Sequence, residues 1–232
     1  MTDIIDSEDG GRAWIAAQPG VSRETMAALD QLVAFVADEA KHQNLVSAST
    51  LAMMWQRHIL DSAQLLRFAA PQADELWIDL GSGAGFPGLV IALMAPCRVM
   101  LVESRALRIA YLERAIAHLG LEDRVTVAGA ALDRVETVAA DYISARAFAP
   151  LPRLIEGAER FSTEKTRWLL PKGRNARAEL ESVSSAWQHV FHVEQSLTDP
   201  DAAILVGTGR ATPLARPQPA RHRPTRRHRS RS

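Results

Sequence analysis

Polar and apolar positions alternate along this chain in two periods. From Ser22, Met26, Leu29, Val33 and Val36 recur at helical spacing to about Lys41, with Ser22 as the N-cap. A second helix is predicted after Thr50, with Leu51, Met54, Leu65 and Leu66 turned inward. Beyond residue 75 the pattern becomes short apolar runs separated by helical segments. Strands are expected at 76–80, 98–103, 124–128, 141–146 and 167–170, and near 189–194 and 203–206. Helices are expected at 87–94, 105–119, 131–139, 150–160 and 175–186, with Gly120 as a natural helix stop. Repeated β-α-β units imply an α/β fold with a mostly parallel, doubly wound sheet. The last two strands lack a long helix between them, so one edge strand should be antiparallel.

The pattern divides the chain into a flexible N-terminus at 1–20 (Trp14 and Ile15 excepted), N-terminal helices at 21–70, a Rossmann-like domain at 71–208 and a tail at 209–232. Charge sharpens that division. The 232 residues carry 27 basic and 27 acidic side chains, but eight of the basic ones are arginines from Arg210 onward, where no acid occurs. The body is left with 19 basic against 27 acidic residues, a formal net of −8. The tail, with Pro213, Pro217, Pro219 and Pro224, suits a disordered basic arm that would draw in nucleic acid; an incidental extension is the alternative.

One cysteine, Cys97, excludes an internal disulfide and a cysteine-based zinc site, and is expected to be buried filler. The acidic start (Asp3, Asp6, Glu8, Asp9) lacks the features of a signal peptide, and no run is long and apolar enough for a membrane span. A cytoplasmic monomer without metal is expected.

The chemistry concentrates in Leu76–Gly88, which reads LWIDLGSGAGFPG: an apolar strand, an acid near its end, a glycine turn and a helix opening at Pro87. Gly81 and Gly83 permit the sharp turn, Ser82 lies between them, and Gly85 would let a ligand lie against the backbone. From Gly83 the loop spells the dinucleotide fingerprint G-x-G-x-x-G. Pyrophosphate binding would need N–H donors at the helix start, where Pro87 has none and Phe86 adds bulk. The frame from Asp79 through Gly81, Gly83 and Gly85 instead resembles motif I of class I S-adenosylmethionine methyltransferases. Glu103, ending the next strand, can accept both ribose hydroxyls in either cofactor class.

Several segments together resemble one family: Asn44-Leu45, His58-Ile59-Leu60-Asp61-Ser62, the glycine loop, Glu103-Ser104 with Arg108, Ser144–Phe148 and Lys172-Gly173. The chain is similar over about residues 20–208 to the bacterial glucose-inhibited division protein B family of ribosomal RNA small-subunit methyltransferases. The resemblance implies methylation of guanine N7 in 16S rRNA near the decoding site, with S-adenosylmethionine as donor and rRNA or the small subunit as partner. It implies cofactor contacts at Gly81, Phe86, Arg146 and Ala131-Leu132. Two positions depart from the family: Ala130-Ala131-Leu132 lacks its arginine and glutamate, and Leu107-Arg108 replaces its Lys-Arg pair.

Guanine N7 carries a lone pair and no proton, so no general base is required, and positioning, with Arg146 central, suffices. The segment 144–150 also lacks the Asp-Pro-Pro-aromatic motif of amino-methylating enzymes. Arg146, Phe148 and Lys172 are the candidates for gripping the base or its phosphates, with Arg108 as a further basic contact. His58, Asp61 and Ser62 would share a helix face, either as a polar surface with His58 bonded to Asp61 or as a substrate-touching rim. Phe148 as core and Lys172 as a solvated turn are the alternatives. A small-molecule methyltransferase and a non-catalytic, cofactor-sensing RNA-binding module are the rival functions.

Overall fold

The computed structural model describes residues 3–183, 187 and 190–210. The expected basic tail lies almost wholly outside them. Seven strands form one sheet: β1 (Leu76–Leu80), β2 (Arg98–Val102), β3 (Val125–Ala128), β4 (Tyr142–Ala145), β5 (Arg167–Lys172), β6 (Phe191–Gln195) and β7 (Ala203–Thr208). Their spatial order is β3-β2-β1-β4-β5-β7-β6. The first five run parallel, and the expected antiparallel strand at this end of the sheet is β7, which lies between β5 and the outermost β6 and pairs antiparallel with both. β1 is buried along nearly its whole length, which explains why its residues are apolar without alternation, Asp79 excepted. Strand order reverses between β1 and β4, and a crevice opens there over their carboxyl ends.

Helices α5 (Gly88–Met94), α6 (Ala106–His118), α7 (Leu151–Ala158) and α8 (Ala176–Glu181) follow β1, β2, β4 and β5, and two apolar clusters form on the two faces of the sheet. Cys97 is fully buried and its thiol is pushed up to about 11 by burial, as filler should be. The stretch 131–139 is not a helix; only a short 3-10 turn forms, at Leu132–Arg134. Val135, Thr137 and Val138 are β-branched, and Arg160 holds the segment by donating to the Leu132 carbonyl and the Thr137 hydroxyl.

The N-terminal lobe departs most from expectation. Residues 8–16, expected to fray, form α1 (Glu8–Ala16), capped by the Ser7 hydroxyl, which accepts from Gly10 N–H. The Glu8 carboxylate accepts the backbone N–H groups of Trp55 and Gln56, at 3.0 and 2.8 Å. An acid of the N-terminal stretch therefore caps a helical segment far along the chain. Helix α2 (Arg23–Glu39) starts at Ser22 as expected and buries Leu29, Leu32 and Val36.

The single helix expected after Thr50 is broken into pieces: α3 (Ala48–Leu51), a π-helix at Trp55–Leu60, α4 (Asp61–Ala63) and a 3-10 turn at Gln64–Phe68. The wide π turn changes which side chains meet.

Candidate functional site

The glycine loop follows β1 and turns through three left-handed residues, Gly81 (φ 70°), Gly83 (φ 57°) and Gly85 (φ 88°). Beneath it lies a chain of buried hydrogen bonds. Trp77 Nε1 donates to Ser144 Oγ, and that hydroxyl donates to Asp79 Oδ1, each at 2.8 Å. Asp79 Oδ2 accepts from Gly88 N–H at the start of α5. Asp79 is fully buried, and burial pushes its carboxyl up to about 6, despite the hydrogen bonds that favour the charge.

This has a measurable sign. Between the ordinary aspartate value of 3.8 and about 6 the folded chain binds a proton there that the unfolded chain does not, so this group's contribution to stability falls as pH rises. Relative to Asp79→Asn, the wild type should gain roughly 1 kcal/mol of stability between about pH 7.5 and about pH 5. Paired urea titrations at the two pH values check it; a constant gap would refute the buried-acid account.

The glycines differ in what surrounds them. A Cβ on Gly81 would fall 2.3 Å from the Phe148 ring, and one on Gly85 would fall 2.4 Å from Leu89. Gly85 therefore has a packing reason of its own to be glycine, besides the ligand approach expected from the sequence. At Gly83 nothing lies nearer than the Gly81 carbonyl at 3.7 Å, while its N–H donates to Glu103 Oε2 at 3.2 Å. A side chain at Gly83 would thus enter open space beside the carboxylate. Gly83→Leu should cost roughly 1–2 kcal/mol of stability from its left-handed backbone and abolish binding of S-adenosylmethionine. Melting and calorimetry separate the two effects, and undiminished uptake would overturn this placement of the ligand.

Glu103 follows directly on β2 and carries a buried carboxylate. It accepts from the backbone N–H groups of Gly83, Ser104 and Arg105 and from the Arg105 guanidinium. Burial alone would push its carboxyl up, but these donors together hold it below the usual glutamate range. Gly81, Glu103, Arg105, Ala130, Leu132 and Phe148 border a cleft of about 300 Å³, at the small end of cofactor sites. Ala131 is exposed and is not among the lining residues, whereas Leu132 is. Ser82 is buried, its hydroxyl donated to the Asp79 carbonyl, so it braces the loop instead of facing a ligand.

A second cavity, of about 840 Å³, opens beside the first. Among their lining residues the two share Ala147 and Phe148 alone. Ala147 takes φ 52°, the one positive-φ residue among those described that is not glycine, and so turns the chain sharply after Arg146. Phe148 is 38% exposed, which rules out the core reading. Arg146 reaches into the π-helix of the N-terminal lobe. It contacts His58 Nδ1 at 3.1 Å, the Arg57 carbonyl at 3.3 Å and Asp61 Oδ2 at 3.4 Å. Its guanidinium stands 5.3 Å from the Phe86 ring, on which His58 also stacks at 5.0 Å.

The expected His58–Asp61 bond is absent. Because a guanidinium only donates, His58 Nδ1 must accept and the proton must sit on Nε2. Burial, with Arg146 and Arg57 nearby, pushes His58 down to about 3, so it is neutral. Its Nε2 is buried with no partner among the described residues. Asp61 turns to Arg146, Gln64 and Thr198 instead. Ser62 is buried and donates to the His58 carbonyl, so it cannot touch RNA.

Lys172 is no solvated turn: its ammonium is 2.9 Å from Glu179 and the side chain is only 10% exposed. Arg108 is half-buried and reaches the Leu45 carbonyl at 3.4 Å, outside both cavities. Glu179 was not anticipated, because its link to Lys172 crosses a turn that periodicity does not register.

The strand order, the glycine turn after β1 and the carboxylate after β2 define a class I S-adenosylmethionine-dependent methyltransferase. The same fold is found in a methyltransferase from Aquifex aeolicus (15% identity, TM-score 0.51, covering 74% of this chain and 98% of that one). It also occurs in MtNAS in complex with S-adenosylmethionine (16% identity, TM-score 0.52, covering 88% and 84%). The chain belongs to the rRNA small subunit methyltransferase G family, whose model matches residues 25–202. A family member from Rhizorhabdus wittichii is 54% identical over 203 residues, 87% of this chain and 93% of that protein. Another, from Sphingopyxis alaskensis, is 50% identical over 214 residues, 92% and 91%. The donor of this class is S-adenosylmethionine; Gly81 and Glu103, which border the smaller cleft, are the residues that would hold its adenosyl part. Among the described residues no helix is long and apolar enough to cross a membrane, and no cluster of three metal-ligating side chains occurs.

Proposed function

We propose that this chain methylates N7 of one guanine in 16S ribosomal RNA, near the decoding site. The observation that carries the reading is the pair of cavities that meet at Ala147 and Phe148. One is sized for a nucleoside cofactor, and the other is large enough for a base drawn out of its stack. N7 lies on the major-groove edge, which is too deep and narrow in A-form RNA for a side chain to read, so the base must be unpaired or extruded.

When bound, S-adenosylmethionine supplies an electrophilic sulfonium methyl. The chain's own contribution is to hold the nucleoside ribose through Glu103 and to fix the junction wall through Arg146. Phe148 offers its exposed ring as a surface on which the guanine can stack. Guanine N7 needs no deprotonation, and neutral His58 is suited to orienting Arg146 but not to proton transfer at neutral pH. In-line positioning of this kind can supply up to ~7–11 kcal/mol of a barrier. Small ribosomal subunits and stripped 16S rRNA should be incubated with labelled donor and assayed for chemically cleavable N7-methylguanine. Label at a single guanine is the expected result. Label in neither substrate, with donor binding intact, would refute the reading in favour of a small-molecule enzyme or a cofactor-sensing module.

A further inference from the structure

The larger cavity carries three carboxylates, and two of them are fully engaged. Asp61 accepts from Gln64 and Thr198 on Oδ1 and from Arg146 on Oδ2. Asp199 accepts from Asp201 N–H on Oδ1 and from Arg57 on Oδ2. Glu179 differs. Both of its contacts, from Leu151 N–H at 3.2 Å and Lys172 Nζ at 2.9 Å, fall on Oε2, leaving Oε1 without a partner among the described residues. Lys172 has, besides Glu179, one long contact to the Ala149 carbonyl at 3.4 Å, so its ammonium retains a donor. The pair sits where β5 ends and α8 runs past, in the same cavity as Phe148.

A cation donor beside a free carboxylate oxygen has a chemical complement. Guanine presents the O6 acceptor next to the N1–H donor, whereas adenine presents an amino donor next to an acceptor. We infer that Lys172 and Glu179 read the target base, Lys172 donating to guanine O6 and Glu179 Oε1 accepting from N1–H. This deepens, and rests on, the guanine reading above. N7 flanks O6 on the base, so gripping O6 and N1–H from this side leaves N7 free for the junction at Ala147 and Phe148. Adenine in the same pose would set donor against donor and acceptor against acceptor, which a site built to hydrogen-bond guanine disfavours, although Glu179 itself is 32% exposed. Lys172 thus acts as a base reader held by its partner, not as a phosphate contact.

The test replaces the target guanine, mapped first with the wild-type enzyme, by 2-aminopurine, which keeps N7 but lacks O6 and N1–H. The wild type should lose about a hundredfold in kcat/KM on this substrate. A Lys172→Met/Glu179→Ala double variant removes both charges together, so that neither is left buried and unpaired. It should lose about a hundredfold on guanine and show a 2-aminopurine penalty at least tenfold smaller than the wild type's, the intrinsic loss of N7 nucleophilicity being common to both, with donor affinity within about twofold of wild type by calorimetry. A full 2-aminopurine penalty surviving in the variant would overturn the assignment. Should the variant fail to fold, a wild-type penalty below about threefold overturns it without the variant. Absence of any N7 methylation by wild type would instead remove the parent reading, and the inference with it.

Discussion

Replacing Arg146 by alanine is expected to lower kcat/KM on ribosomal RNA by roughly a hundredfold, the size of effect that a misplacement of about 1 Å produces. The reason is the number of parts this one side chain joins. It binds the π-helix through the Arg57 carbonyl, Asp61 and His58, and covers Phe86 of the glycine loop. Without it, Asp61 loses its cationic partner in a largely buried setting, and the wall between the cavities is no longer pinned to the N-terminal lobe. Arg146→Lys should recover little, because a point charge cannot reproduce three contacts made by a planar fork. Steady-state kinetics with calorimetry provide the check: donor affinity should fall less than kcat/KM. A variant with near-wild-type turnover would show that the wall needs no such brace.

For Glu103→Ala the expected result is a dissociation constant for S-adenosylmethionine raised roughly a hundredfold, as the loss of hydrogen bonds to a charged acceptor predicts. In this structure both carboxylate oxygens are already bonded to the Arg105 guanidinium. The ribose must therefore displace Arg105, whose side chain is 65% exposed and can swing into solvent, and must itself supply donors to the buried Glu103 carboxylate. Arg105→Ala should accordingly leave donor affinity unchanged or slightly tighter. Titration calorimetry on the two variants distinguishes a carboxylate that grips the ribose from one that only braces the loop; equal losses in both would favour the brace.

Much of this is legible in the chain by itself. Motif I is a contiguous stretch whose turn needs glycine for steric reasons, so both its place after β1 and its left-handed residues follow from local chemistry. Glu103 at the end of the next strand is nearly as local. The N-terminal lobe was not legible in the same way. Glu8 looks solvated until it is seen capping Trp55 and Gln56, and the π-helix looks like an ordinary amphipathic helix until Arg146 is seen bonded to its carbonyl. The stretch 131–139 misled for a related reason, since its Leu132 carbonyl and Thr137 hydroxyl are held by the distant Arg160.

The linear order of residues settled the fold class, the strand and helix succession around the glycine turn, and the kind of donor the turn accommodates. These depend on periodicity and on backbone freedom at a few glycines, which act over a handful of neighbours. The folded arrangement alone decided that two cavities share the wall of Ala147 and Phe148, that Ser82 and Ser62 face inward, and that Lys172 answers to Glu179. Each of those outcomes depends on groups distant in sequence competing for the same buried hydrogen bonds, and that competition is resolved only when the chain is packed.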